Sequence, residues 1–291
     1  MKNNLVADIF EMLQYPFVQR MFIAGLLASV ACGIIGTYVV VKRVVFISGG
    51  IAHTTFGGIG FAYYLQYLGI VFIEPLVGAL IFALAAAIIM GLPFIRTRLR
   101  EDSIIGILWV VGMALGVLFL NQVDRSEILV QDPVSILFGN VLLIKMQDLY
   151  LMFGLVIFII FITIILYKDL HILTFDEEFA RISGIKVVFL YMVLMVLIAL
   201  TTVVLIKVVG VVLVIAMLTI PAAISNLFTH NLKNMMFFAI IIGCIVTFYG
   251  SLISLNYDLP PGATIVISLA SLFVIALLLK NIKHVFVNQA K

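Results

Sequence analysis

Between Val187 and Tyr257 the only charged side chains are Lys207 and Lys233. The hydrocarbon core of a bilayer is about 30 Å thick, and each crossing helix needs about 20 apolar residues. Divided at its two lysines, this run therefore predicts three successive crossings. Segments of the same kind recur at Met21–Val41, Ser103–Val123, Leu149–Tyr167 and Leu259–Leu279. Composition agrees: 65% of the residues are apolar and 11% charged, where soluble domains carry about 25% charged residues. The chain reads as all-α, a polytopic transmembrane helix bundle.

Nine candidate spans follow, at about 18–41, 46–67, 70–93, 103–123, 147–167, 187–206, 208–229, 234–256 and 260–280. All of residues 1–291 belong to one transmembrane domain. Cytoplasmic loops carry an excess of Lys and Arg. Four clusters are placed inside on that rule: Lys42 with Arg43; Arg96, Arg98 and Arg100; Lys168, Arg181 and Lys186; and Lys280, Lys283 and Lys291. The segment Gln122–Lys145, with Asp124, Arg125, Glu127 and Asp132, then faces outside, as do the turn Asn256–Gly262 and the N-terminus. No apolar signal-peptide core precedes Met21. The net charge of +3, with no basic face interleaved with aromatics, gives no indication of nucleic acid. Cys32 and Cys244 lie inside apolar segments and read as packing residues.

Two connections are longer than turns. One contains DPVSILFGN, apolar but too short to span, which predicts a re-entrant or interfacial helix. The other, residues 168–187, reads KDLHILTFDEEFARISGIKV. Thr174 followed by Asp176, Glu177 and Glu178 has the form of a helix start, where carboxylates meet the positive end of the dipole. Gly184 has the form of its stop. An ordinary solvated loop is the other reading of these residues.

Inside the membrane, the second span opens ISGGIAHTTFGGIG. Gly49, Gly50, Gly57, Gly58 and Gly60 permit close helix packing or an unwound stretch. Between them lies His53, the only histidine in a predicted span; His171, His230 and His284 fall in loops or at ends. An ionisable group at membrane depth is a functional candidate, against the plainer reading of a neutral ring donating to a carbonyl or hydroxyl. Glu74, before Pro75, reads as a helix-start carboxylate at the outer interface. Pro221 in VGVVLVIAMLTIPAAISNLF interrupts a helical hydrogen-bond ladder, and Ala222, Ala223 and Ser225 beside it let another helix approach. HExxH, GxSxG, paired intramembrane carboxylates and the phosphate-binding GxxxxGK[ST] are all absent from the sequence, so this chain is not expected to hydrolyse nucleotide itself.

The ordered set of motifs resembles one family, the membrane subunits of ABC importers for zinc, manganese and related divalent metals. The likeness runs from LQYPFVQRMFIAGLLASVACGIIGTYVVVKR through SGGIAHTTFGGIG, DPVSILFGN, FDEEFARISGI and VVGVVLVIAMLTIPAAIS to YDLPPGATIVI. It implies a homodimeric permease resembling the vitamin-B12 importer fold, with the translocation path at the dimer centre in the cytoplasmic membrane of a prokaryote. It also implies two ATP-binding ATPase subunits beneath, an extracytoplasmic metal-binding protein above, and zinc, manganese or iron as the substrate. No cofactor is expected in this chain. Phe175, Asp176, Glu177, Glu178, Ala180 and Gly184 would form the region that couples to the ATPase. His53 would be the metal ligand. Gly49, Gly50, Pro221, Asp258, Pro260, Pro261 and Gly262 would serve path and gate. Many relatives have an aspartate four residues before the histidine, one turn away on the same helix face; here that position is Gly49.

Three other readings compete. A stand-alone carrier driven by an ion gradient would use several buried carboxylates and would not co-purify with an ATPase. A permease for a chelate such as a siderophore is usually a longer chain with about ten spans. An intramembrane enzyme needs a second catalytic group beside His53.

Overall fold

A computed structural model describes residues 14–70, 73–92, 100–124, 133–139 and 144–289. The arginines Arg96, Arg98 and Arg125, with Glu127 and Asp132, lie outside the described residues, as does the N-terminal segment before residue 14. Twelve helices are described: α1 (Pro16–Val41), α2 (Val45–Tyr67), α3 (Pro75–Gly91), α4 (Glu101–Asn121), α5 (Pro133–Phe138), α6 (Met146–Ile165), α7 (Tyr167–Phe175), α8 (Glu177–Ile182), α9 (Val187–Val209), α10 (Val211–Phe228), α11 (Leu232–Tyr257) and α12 (Pro261–Gln289). No strand occurs among them. All nine predicted spans are helices. Eight are long and apolar enough to cross a bilayer, and α3 has 17 residues, the lower end of what a crossing of about 30 Å requires. Glu74 stands at the N-cap of α3 with Pro75 in the first turn, as read, although its side chain makes no capping hydrogen bond.

The helices alternate in direction between two ends. At one end Lys42, Arg43, Glu101, Phe175, Glu177, Tyr191 and Asn226 surround a single cavity. At the other, Arg20 donates to the Ile144 carbonyl at 3.2 Å and Lys207 pairs with Asp148 at 2.7 Å. Among the described residues, those of the predicted cytoplasmic connections at Lys42–Arg43, Glu101 and Phe175–Glu177 thus gather at the first end, and Ile144 of the predicted external segment lies at the second.

Small residues set the spacing in the middle. α2 is the most enclosed helix, 83% buried over its apolar window, whereas α4 and α12 are 28% and 22% buried. A Cβ built on Gly57 would lie 2.7 Å from the Gly112 carbonyl oxygen, and one on Gly60 2.6 Å from that of Gly116. Gly58 meets Gly78 of α3 in the same way. Only glycine lets backbones approach so closely, and this small-residue seam is how helices associate in lipid, where burying apolar surface gives no advantage. The unwound alternative for these glycines is corrected, because α2 is continuous from Val45 to Tyr67.

At the outer end three separate motifs meet. Gly139, after α5, has φ +75 and Gly210, between α9 and α10, has φ +83. A Cβ on Gly139 would fall 2.5 Å from the Val209 carbonyl carbon, and Gly262 at the start of α12 abuts the Phe138 carbonyl oxygen. The short helix of DPVSILFGN is real but has six residues. It packs against the α9–α10 corner and the start of α12.

Candidate functional site

His53 lies eight residues into α2, about 12 Å along the helix at 1.5 Å per residue. It is 9% exposed. Its ring stacks on Trp109 of α4, with centroids 4.1 Å apart and planes 18° from parallel. Trp109 is itself eight residues into α4, so the two rings sit at matching depths. The plainer reading of His53, a ring satisfied by a carbonyl or hydroxyl, is not what Nδ1 makes: that atom is buried with no hydrogen-bond partner. The neighbouring hydroxyls are committed elsewhere. Thr54 donates to the Gly50 carbonyl at 2.7 Å and lies 3.1 Å from that of Leu108, and Thr55 donates to Ala52. A buried imidazole nitrogen left without a partner costs free energy unless something else engages it.

Gly49 and Gly50 stay helical and act through their lack of a side chain. A Cβ on Gly49 would be 3.0 Å from Cζ3 of Trp109, and one on Gly50 would be 3.0 Å from the Met90 methyl. The indole therefore occupies the space beside Gly49, the position one turn before His53. Sequence reasoning did not single out Trp109. The available signal was a lone tryptophan well inside a span rather than in the interfacial belt where tryptophans concentrate. No group of three or more His, Cys, Asp or Glu side chains comes together among the described residues. The chemistry on offer at this depth is one imidazole, an aromatic face and helix backbone.

Pro221 sits inside α10 and is buried, and the helix runs through it. Its missing N–H leaves the carbonyl four residues earlier without its usual donor. α1 approaches α10 one residue further on, where Gly36 abuts the Leu218 carbonyl oxygen. On the other side Ser225 donates to the Met235 carbonyl of α11 at 3.0 Å, so a second helix does pack against the small residues after Pro221. Asp258 caps the end of α11 in the left-handed conformation, φ 52, with its backbone N–H on the Ser254 carbonyl. Pro260 precedes α12 and Pro261 opens it; Asp258 and Pro260 are exposed and Gly262 is buried in the outer glycine joint.

The coupling segment differs from its sequence reading in register. Thr174 does not start the helix. It lies buried in the last turn of α7, its hydroxyl donating to the Leu170 carbonyl. The apolar run through Leu170 and Leu173, both fully buried, carries α7 through Thr174 to Phe175. Asp176 is the cap of α8, accepting from the Phe179 N–H at 2.9 Å, and Gly184, φ +79, ends it. Glu177 pairs inward with Lys42 at 2.9 Å, and Ala180 is fully buried. What faces outward is Phe175 at 53%, Phe179 at 54% and Ile182 at 86% exposure, with Glu178 beside them. The exposed face thus mixes three large apolar side chains with the charges of Asp176, Glu178 and Arg181.

A bundle with eight helices of crossing length, small residues at its seams and a pair of short helices at one end is the architecture of a multi-pass membrane protein. The chain belongs to the ABC 3 transport family, whose model matches residues 14–280. It is 36% identical over 278 residues to a probable metal transport system membrane protein of Chlamydia trachomatis, covering 96% of this chain and 92% of the relative. It is 33% identical over 274 residues to the manganese transport system membrane protein MntC of Halalkalibacterium halodurans, covering 94% and 91%. The solved structure of PsaBC from Streptococcus pneumoniae in complex with Fab has a chain that superposes with a TM-score of 0.81 at 29% identity, covering 94% of this chain and 95% of that one. The family is one of transport subunits, not of catalytic enzymes.

Proposed function

We propose that this chain is the translocating subunit of an ABC importer for a bare divalent transition-metal ion, working by alternating access as a homodimer. Two ATPase subunits dock on Phe175, Phe179 and Ile182, and an extracytoplasmic binding protein delivers the ion near the turn at Asp258. Family membership supports the permease role, and the manganese system among its relatives supports a metal substrate. One observation carries the assignment to this chain's own residues: a buried imidazole with an unpartnered Nδ1, in a span without charge, at the centre of the most enclosed helix. Neutral imidazole suits zinc and iron and binds the harder manganese ion less well, and a lone imidazole holds any of the three weakly. Weak holding suits an ion that must leave.

Trp109 supplies the test, because it is the only tryptophan in the chain and stacks on the proposed ligand. Titrating the purified permease with Mn²⁺ or Zn²⁺ is expected to change indole emission saturably, and His53→Ala is expected to abolish the change. In the reconstituted importer the same variant is expected to lose metal uptake while the permease still assembles. Identical titrations in the wild type and His53→Ala would overturn the assignment.

A further inference from the structure

Lys42 entered the sequence reading only as a charge that orients the chain. In the structure it is the C-cap of α1, its side chain 12% exposed. Its ammonium makes two contacts across a sequence gap of more than 130 residues. It donates at 2.9 Å to the Leu173 carbonyl, in the last turn of α7, and at 2.9 Å to Oε2 of Glu177, the first residue of α8. Each contact is favourable for a distinct reason. The carbonyl end of a helix carries negative partial charge that a cation offsets. The carboxylate contact is a charge-assisted hydrogen bond in a partly enclosed site, stronger than a neutral one. One ammonium thus holds both short helices at their junction.

The other side of Lys42 leads directly to the candidate site. Arg43 takes a left-handed conformation, φ 62, and the Val44 N–H closes onto the Val39 carbonyl at 3.0 Å, so the corner is tight. α2 begins at the next residue and is unbroken, with no proline, past His53. A shift of α7 and α8 at the Lys42 ammonium is therefore imposed on a stiff corner and a stiff helix, with His53 about 12 Å beyond it at the helical rise of 1.5 Å per residue. The contact spans a cavity of about 650 Å³ that Val44 and Glu101, at the feet of α2 and α4, also line.

We propose that Lys42 is a positioning residue of transport: its ammonium ties the short helices α7 and α8 to the corner ahead of α2, so that movement imposed on them is delivered to the helix that carries His53. The proposal rests on the reading that Phe175–Gly184 is where the ATPase docks. It assigns to Glu177 an inward role, as the partner of Lys42, in place of a contact with the ATPase.

The test uses the complete importer, permease with its ATPase, in proteoliposomes, and reads metal ions taken up per ATP hydrolysed. Lys42→Met is expected to leave the ATPase bound and to lower that ratio by about fivefold or more, the scale of an ordinary coupling between sites. Lys42→Arg is expected to restore it, because a guanidinium can donate to the carbonyl and the carboxylate together. A role in stability alone would lower yield, hydrolysis and uptake in step and leave the ratio unchanged, which would overturn the proposal. Should Lys42→Met fail to accumulate in membranes, Glu177→Gln keeps the Leu173 contact and removes the charge that pairs with Lys42 and, at 4.0 Å within α8, with the exposed Arg181. It is expected to lower the same ratio by less, and an unchanged ratio there counts equally against the proposal. Failure of the underlying reading is distinguishable: if Phe179→Arg combined with Ile182→Arg leaves the ATPase bound, the docking assignment falls. If the ATPase is released by that pair while Lys42→Met keeps the wild-type ratio, only the role of Lys42 falls.

Discussion

The space beside Gly49 can be tested by filling it. A Cβ at this position would stand 3.0 Å from Cζ3 of Trp109 and 3.6 Å from Cη2, whereas carbon atoms at their best separation are about 3.5–4.0 Å apart. Gly49→Asp adds three further heavy atoms beyond that Cβ, so the indole stacked on His53 must give way. Overpacking of this kind costs about 1–3 kcal/mol. Trp109→Ala alone forfeits indole packing; Trp109 is only partly buried, so its loss stays below the roughly 3–5 kcal/mol of a fully buried Trp→Ala. With the indole gone, the aspartate has room, and the overpacking is relieved. The double variant should therefore be more stable than the sum of the singles by about 1–3 kcal/mol, within the range measured for contacting residues. Thermal unfolding of the four purified proteins measures this. The carboxylate would then lie one turn from the imidazole, about 5–6 Å between Cβ atoms. Mn²⁺ affinity, read by competition with a chelating dye, is expected to rise about tenfold over Trp109→Ala, equivalent to about 1.4 kcal/mol. Strict additivity of the two stability changes would refute the claim that the indole fills this space.

Three further expectations concern other parts of the molecule. Ile182→Arg, at a side chain 86% exposed, should release the ATPase without lowering permease yield, and co-purification at wild-type stoichiometry would contradict docking through this apolar side chain. Asp258 is left-handed at φ 52, so Asp258→Gly should be neutral or slightly stabilising and Asp258→Val should cost about 1–2 kcal/mol in a thermal scan; a cysteine placed there should react with an impermeant maleimide from outside the cell, and labelling only from the cytoplasm would reverse the topology. Gly210→Ala should be strongly destabilising, because its φ is +83 and its Cβ would meet the Phe138 carbonyl carbon at 2.5 Å, while Gly154→Ala, mid-helix with nothing within 4 Å, should gain about 0.5–1 kcal/mol; equal effects would show that the outer joint is not tight.

The crossings were legible because each depends on its own residues. Length and apolar content decide whether a segment spans, and neither requires a partner. Pro75 at the start of α3 and Gly184 at the end of α8 were legible for the same reason, since proline fixes φ and glycine permits its left-handed value wherever they stand. The start of the coupling helix was displaced by two residues because two local signals overlap. Thr174 and Asp176 can both cap, and what decides between them is burial of Leu170 and Leu173 against the bundle, which continues α7 through Thr174.

The candidate site was legible only in part, since a pair of residues defines it and the sequence displays one member at a time. His53 stood out through its chemistry, an ionisable ring in an uncharged span. Trp109 did not, because apolar spans tolerate aromatics and nothing in its neighbours indicates that it faces an imidazole 56 positions earlier. Lys42 and Glu177 show the same effect with opposite charges. Lys42 read only as a charge that orients the chain and Glu177 as a helix-start carboxylate of the coupling region, and an isolated surface pair contributes about 0–1 kcal/mol. Their contact acquires weight from what lies behind it: a capped corner, an unbroken helix and an enclosed carbonyl at the end of α7. The same reasoning applies at Gly49. A carboxylate there and an indole at 109 compete for one volume, so the residue at one position restricts the other. A chain with glycine at 49 has room for a tryptophan to enclose the imidazole, and that exchange alters the chemistry offered to an ion without altering the fold that presents it.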